Sequence, residues 1–422
     1  MQEFENLFFK VWKNIFIRNE ITKHLELYRD CYKLKVNKLS DLQNYSNKEY
    51  VSILEYYPYS LSSGCFNKLS SLVELEIIKY KGQINLSDLE SITTLKKLSI
   101  SEDLDQELEV NSLPSSINDL TLIKYNKTIK PKVLPESLTN LYLPLFNQPI
   151  EKDSFKFNSN IELLIMDRFD QEIDKDDLPL NVIELVLSLF NKPLNYGSIP
   201  NLVESLRLFK FNHPLKPNLL PSSLIDLKLD NFDHLLNVGD LPLGIIYLYL
   251  GEYNHKLEPN VLPSTITDLS LSRFNHPLKK GDIPSSVTLL QMCEFNSTIQ
   301  VGAIPSSVKK LKLSYFNQPI EPGAICFGVE KIRLLRSFNK PLVKGSFPNS
   351  VRTIHFSVNF NQSIKPNDIP ESCIKIKMGY CFNHLPKLTS NIFSKNLKKI
   401  ILNRGYNHPI PDDLKDIVII EK

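Results

Sequence analysis

The stretch Ile266-Thr267-Asp268-Leu269-Ser270-Leu271-Ser272-Arg273-Phe274-Asn275-His276-Pro277-Leu278 decides the fold of this 422-residue chain. Leu269 and Leu271 alternate with polar residues, the pattern of a short strand with one buried face. Phe274 and Leu278 supply a second apolar pair, and Pro277 fixes φ where no ladder N–H is needed. Ile283-Pro284-Ser285-Ser286-Val287 then leads into the next strand, its serines suited to a turn. The chain restates this sentence from Tyr125 onward. Its aromatic recurs at Tyr125, Phe146, Phe169, Phe190, Phe211, Phe232, Tyr253, Phe274, Phe295, Phe316, Phe338, Phe360, Phe382 and Tyr406, at spacings of 21 to 24 residues. Weaker copies precede it, Leu75-Glu76-Ile77 before Tyr80 and Leu98-Ser99-Ile100 before Leu104.

A period of this length carrying one strand predicts parallel stacking, one strand per coil and about 4.8 Å between coils. The aromatics then stack into a spine. Twelve of the fourteen repeats follow the aromatic with Asn: 126, 147, 191, 212, 254, 275, 296, 317, 339, 361, 383 and 407. A turning coil leaves backbone N–H and C=O groups in need of partners. An Asn in each coil, Asn147, Asn191, Asn212, Asn254, Asn275, Asn296, Asn317 and Asn339 among them, can serve its own turn and the next as an amide ladder. The alternative is a ligand-binding Asn row. Asp170 and Asp233 can accept but not donate, so those repeats are expected to be weaker.

The motif Leu-x-Leu-x-x-Phe-Asn-x-Pro-Leu resembles the leucine-rich-repeat pattern with an aromatic inserted before the Asn. Phe-Asn-x-Pro-Leu/Ile followed by Ile-Pro is similar to the FNIP repeat of social amoebae, clearly so over 125–410 and best at 190–194, 211–215, 274–278 and 316–320. Phe169-Asp-Gln-Glu-Ile, Phe232-Asp-His-Leu-Leu and Cys326 in place of a proline depart from it. The resemblance implies a leucine-rich-repeat-like solenoid engaged in protein–protein interaction, and it brings no catalytic residues.

The expected organisation is an α/β-type solenoid of mainly parallel β coils, about 21–22 residues each. A helical N-terminal cap spans 1–62, degenerate coils 63–124, fourteen repeats 125–410 and a truncated last coil 411–422. Residues 4–30 carry Phe4, Leu7, Phe8, Val11, Trp12, Ile15, Phe16, Ile21, Leu25 and Tyr28 at largely helical spacing. They read as a cap on the first coils or as an F-box-like module that recruits a ubiquitin-ligase scaffold. An F-box usually opens with Leu-Pro, and this segment has no proline. At the other end, Leu414, Ile417 and Ile419 restate the strand pattern.

Composition agrees with a packed array. The chain is 42% hydrophobic, 10% aromatic and 23% charged, which excludes intrinsic disorder. Pro58 is the sole proline before residue 111, and 26 of the 27 follow it, marking where the repeats begin. No apolar run reaches membrane-spanning length. Six cysteines without a CxxC pair, and an N-terminus unlike a signal peptide, point to the cytoplasm. Of five N-x-S/T sequons, three coincide with the repeat Asn.

No nucleotide, hydrolase or metalloprotease motif is present, so neither an enzyme nor a cofactor is expected. His213, His234, His255 and His276 occupy one position in consecutive repeats and invite a metal column. The same position holds Lys, Gln and Ser elsewhere, as an exposed turn would, and no metal is assigned. Recognition is expected on the concave sheet face, at outward strand positions: Tyr142, Arg207, Asp226, Lys228, Tyr247, Tyr249, Asp268 and Ser270, then Lys310, Lys312, Lys331, Arg333, His355, Lys375, Lys377 and Lys399. Tyr247 and Tyr249 resemble an interface anchor. Residues 301–422 hold 19 Lys+Arg against 8 Asp+Glu, while 1–300 hold 31 against 39. A basic stripe meets an acidic or phosphorylated protein surface, or only solubilises the sheet. Nucleic acid is disfavoured because aromatics are few in the stripe. No membrane is expected.

Overall fold

The computed structural model describes residues 15–57, 68–78, 92–102, 106–383 and 392–421, with Phe66, Leu86, Leu89, Leu104 and Leu388 between them. The chain divides into two units, residues 1–190 and 191–422.

The first unit begins with helix α1 (Ile15–Cys31), strand β1 (Lys33–Val36) and the short helix α2 (Leu39–Asn44). Strands β2 (Ile53–Tyr56), β3 (Glu74–Ile77), β4 (Lys97–Ile100), β5 (Asp119–Leu122), β6 (Asn140–Tyr142), β7 (Leu163–Ile165) and β8 (Glu184–Val186) follow. Each pairs in parallel with the next, from β1 through β8.

The second unit contains β9 (Ser205–Arg207), β10 (Asp226–Leu229), β11 (Tyr247–Leu250), β12 (Asp268–Leu271), β13 (Leu289–Met292) and β14 (Lys310–Leu313). It continues with β15 (Lys331–Leu334), β16 (Thr353–His355), β17 (Lys375–Lys377), β18 (Lys399–Leu402) and β19 (Val418–Ile420). Successive strands again pair in parallel, with Leu248, Leu269, Leu290 and Leu311 in one inward row. This is a parallel β solenoid of the leucine-rich-repeat kind.

From β5 to β18 the aromatic behind each strand is buried. In the first unit Phe146, Phe169 and Phe190 stack at 6.1 and 6.4 Å between centroids. In the second, near-parallel rings run from Phe274 through Phe295, Phe316, Phe338, Phe360 and Phe382 to Tyr406 at 6.0–6.4 Å. That range is typical of offset aromatic pairs.

From Asn126 to Asn361 the Asn beside the ring is only half-buried or exposed, so it sits at the coil's edge and not inside its core. Its Oδ1 accepts the backbone N–H of the equivalent residue one coil later. The N···O distance is 2.9 Å from Asn212 to Asn191, 3.0 Å from Asn275 to Asn254, and 2.8 Å for Asn296 to Asn275 and Asn317 to Asn296. The bond persists at 2.9 Å where the period lengthens to 22 residues, from Asn339 to Asn317 and from Asn361 to Asn339. In the first unit Asn147 N–H donates to Asn126 Oδ1 at 2.8 Å. The atom used is an acceptor, which a carboxylate supplies equally. Asn254 N–H accordingly donates to Asp233 Oδ1 at 3.1 Å. The bond is kept at Asp233, at the longest distance of the series.

The second serine of Pro-Ser-Ser also works between coils and not within its own turn. Ser223 Oγ donates to Val203 O at 2.6 Å and Ser286 Oγ to Ile266 O at 2.6 Å, and Ser372 Oγ, in Pro-Glu-Ser, makes the same bond to Val351 O at 2.8 Å.

The return arcs hold a feature that proline alone does not explain. Gly239, Gly281, Gly302, Gly323 and Gly345 share one arc position with Asn218, Asn260 and Asn367, and all have positive φ. Glycine and asparagine are the residues that adopt this conformation most readily. The next residue is often a buried Asp or Ser. Asp240, Asp282 and Asp368 each accept, through Oδ2, the N–H three residues earlier at 2.7 Å. Burial pushes the Asp282 and Asp368 carboxyls above the usual carboxylate range.

A helical cap is expected over 1–62, and the described part, 15–57, differs from it. β1 and β2 already belong to the parallel sheet, because Lys33–Val36 and Ile53–Tyr56 alternate with period two. Of the predicted apolar stripe, Phe4 to Trp12 lie outside the described residues. α1 touches the coil at Tyr50, whose hydroxyl bonds His24 Nδ1 and whose ring meets the Tyr28 ring edge-on at 4.9 Å. Leu25 is 61% exposed. The last strand is displaced by one residue from the expected pattern, and Ile419 lies opposite the outward Ile401. Among the described residues no helix is long and apolar enough to cross a membrane.

Two substitutions separate the spine from the edge bond. Phe295→Ala is expected to lower the unfolding free energy by about 3–5 kcal/mol in urea titrations. Asn275→Leu should cost about 1 kcal/mol and Asn275→Asp much less at neutral pH. An equal loss for the last two would show that the side-chain oxygen is not what holds the coils at this position.

Candidate functional site

Each strand projects two outward side chains, at its first and third positions, and the pairing aligns them into two rows. In the second unit the third-position row reads Arg207, Lys228, Tyr249, Ser270, Gln291, Lys312, Arg333, His355, Lys377 and Ile401. The first-position row over β14–β18 reads Lys310, Lys331, Thr353, Lys375 and Lys399. Tyr142 lies on β6 of the first unit, half-buried at the corresponding position.

The early part of this face is largely self-satisfied. Lys228 Nζ lies 3.3 Å from Asp226 Oδ2 on its own strand. The Tyr249 hydroxyl donates to Asp230 Oδ1 at 2.7 Å and lies 3.4 Å from Ser272 Oγ. Tyr249 is therefore a tethered wall residue and not the free anchor suggested by its type. Burial pushes its hydroxyl above the usual tyrosine range, and Asp230 adds to the shift. Tyr247, 49% exposed, remains available for contact.

The late part is different. Lys310, Lys312, Lys331, Arg333, Lys375, Lys377 and Lys399 occupy four of the five adjacent strands β14–β18. Among the described residues one acid answers them: Glu421 Oε1 lies 2.6 Å from Lys377 Nζ. Lys312 Nζ donates to Gln291 Oε1 at 3.0 Å. The Arg333 Nε is buried without a hydrogen-bond partner. Burial, then Arg333, Lys310 and Lys375, hold the Lys331 ammonium below its ordinary range.

His355 sits in the middle of the array, opposite Arg333 on one side and Lys377 on the other. Burial, followed by the fields of Arg333, Lys331, Lys375 and Lys377, pushes its imidazole down to about 4. Sequence reasoning placed these residues on one face but could not anticipate Glu421, or the half-buried floor made by Thr353 and His355. It also missed the row just before the aromatic. There Arg273 bridges Glu252 and Glu294, and Arg336 donates to the Tyr315 hydroxyl at 2.8 Å.

The histidine column has a different role. His213, His234, His255 and His276 direct Nε2 at the backbone carbonyls of Asn191, Asn212, Asp233 and Asn254, at 3.0, 3.0, 3.1 and 2.8 Å. A carbonyl only accepts, so each Nε2 carries a proton and donates. Ser297 makes the same bond to Asn275 O at 2.8 Å, and Gln362 donates to Asn339 Oδ1 at 3.0 Å. The residues found here share a donor group. Among the described residues no three His, Cys, Asp or Glu side chains are arranged to hold a metal ion.

The FNIP Repeat family profile matches residues 125–155, 169–210 and overlapping segments through 338–381, together more than half of the chain. The chain belongs to the FNIP-repeat family. An FNIP repeat-containing protein of Dictyostelium discoideum is 26% identical over 164 residues, 37% of this chain and 29% of that relative. The match thus spans less than a third of the relative's length. Among solved structures, the FNIP chain is similar to CroV588, a circular leucine-rich-repeat protein, with TM-score 0.71 and 22% identity over 90% of this chain and 71% of that one. A leucine-rich-repeat protein of Leptospira interrogans gives TM-score 0.55 at 16% identity, covering 82% and 94%. The TLR13–ssRNA13 complex gives 0.51 at 16%, covering 92% and 56%. At these identities the likeness concerns the fold.

The His355 environment predicts an acid-sensitive fold. The folded pKa lies below the unfolded value, so the unfolded chain binds the proton first. Stability linked to this group should fall as pH drops from about 6.5 toward 4. His355→Gln should flatten that part of the profile of Tm against pH. An unchanged profile would remove His355 as the cause.

Proposed function

We propose that this chain is a non-enzymatic recognition scaffold whose outward sheet face binds a protein partner, with β14–β18 receiving an acidic or phosphorylated segment. The observation that carries this reading is the array of seven cations answered by one described carboxylate, with a buried, unpartnered Arg333 Nε inside it. Lysines that only solubilise a sheet stand in water, where like charges are screened. Half-burying Lys331 and Arg333 beside each other costs free energy that an anionic partner offsets. Leucine-rich-repeat-like solenoids typically serve as interaction scaffolds, and stacked coils present the extended surface that such binding uses. We place the scaffold in the cytoplasm, since the five described cysteines are all free thiols.

The RNA named with TLR13 belongs to that protein. Here the outward positions of β14–β18 offer no Phe, Tyr or Trp on which bases could stack. The ubiquitin-ligase alternative has less support still, because part of its proposed module already forms coil strands.

Capture with the full chain, compared with the Lys331→Glu, Lys375→Glu double variant, tests the reading. Partners of the parent should be lost from the variant and from phosphatase-treated or high-salt samples, while Tm stays level or rises. An identical set of captured proteins would move recognition away from this face.

A further inference from the structure

β15, β16 and β17 present Lys331 and Arg333, Thr353 and His355, and Lys375 and Lys377 as three aligned pairs. Neighbouring strands lie about 4.8 Å apart, and alternate residues on a strand about 6.6 Å apart. The four cations therefore stand at the corners of a frame roughly 10 by 7 Å, with Thr353 and His355 as its floor. Among the described residues the frame contains no carboxylate. Glu421 pairs with Lys377 at its edge, and Glu330, in the adjoining row with Lys309, Arg352 and Lys398, lies 4.0 Å from Lys309.

We propose that this frame seats one phosphorylated side chain of the protein partner, a phosphate monoester held by Arg333, Lys331 and Lys375 above the Thr353 hydroxyl and the His355 ring. The proposal rests on the sheet face being the recognition surface and adds the chemistry of the group it takes. Three observations favour a phosphate monoester over a carboxylate. The Arg333 guanidinium has a buried donor still to be satisfied, and its planar fork matches two oxygens of one phosphate. With Lys377 paired to Glu421, Lys331, Arg333 and Lys375 remain, more positive charge than one carboxylate balances. A phosphomonoester carries nearly two negative charges at neutral pH. The floor supplies a neutral hydroxyl and an imidazole that burial, with the neighbouring cations, keeps uncharged. A dianion reverses the field at that ring, so His355 takes up a proton on binding and becomes a further donor. Capture should strengthen as pH falls from about 7 to about 6, then fade as the phosphate itself gains a proton near 6.

The test uses the full chain and a short labelled acidic peptide carrying one phosphoserine, with its serine and glutamate counterparts and a single-stranded RNA of similar length. The phosphopeptide is expected to bind at least about tenfold tighter than the glutamate peptide. Arg333→Lys, which keeps the charge and removes the fork, should erase most of that preference while Tm holds. The His355 ring resonances should titrate at higher pH when the phosphopeptide is bound, and His355→Gln should abolish the tightening between pH 7 and 6. If the glutamate peptide binds equally and Arg333→Lys spares the difference, the phosphate seat is wrong and the acidic-partner reading stands. If no peptide binds, both fall. Tighter binding of the RNA would overturn the proposal.

Discussion

Among the FNIP repeats, one coil is fastened to its predecessor by an N–H that reaches across to a side-chain oxygen, and much else follows from that bond. A strand is held by its sheet neighbours, but the opposite side of the coil has no ladder, and its backbone groups need partners. The Asn Oδ1 supplies one at the same point in successive coils. The donors at the next position, whether His, Ser or Gln, supply a second, and the Pro-Ser-Ser hydroxyl a third. With the coil spacing fixed on both sides, the aromatic rings fall into an offset stack, and apolar burial can act at every level alike.

The same repetition concentrates charge. In an irregular domain, seven cations seldom share a surface without intervening acids. In an aligned solenoid a residue type repeated at one strand position becomes a continuous row. Repulsion along such a row is tolerated because the coils are secured elsewhere. The sheet face is thereby relieved of a structural duty and free to hold an unfavourable charge distribution.

Much of this was legible from the period alone. Leu269, Leu271 and Phe274 announce a strand and a buried ring, and counting by the period puts Lys312, Arg333 and Lys377 on one face. What escaped the reading was whatever the period does not encode. The positive φ shared by Gly281 and Asn260 hides behind two different letters. The turn cap at Asp282 looks in sequence like any surface acid. Tyr249 was read by residue type, whereas its role depends on Asp230 in the preceding coil. Glu421 reaches Lys377 across 44 residues, and no local pattern could connect them. In the first unit, β1 was obscured because its strand is flanked by helices and lacks the Phe-Asn signature.

The bond between coils also has a direction: the later coil gives the hydrogen and the earlier one receives it. The repeats bonded in this way offer the same acceptor forward and the same donor backward. A gene segment encoding one period, copied or deleted whole, leaves matching surfaces at the join. Two added residues in the arc are absorbed as well, as the Asp170 N–H to Asn147 Oδ1 bond of 2.9 Å across 23 residues shows. Array length is thus a quantity that unequal recombination can adjust with little structural penalty, and recognition surfaces can lengthen or shorten by whole rows.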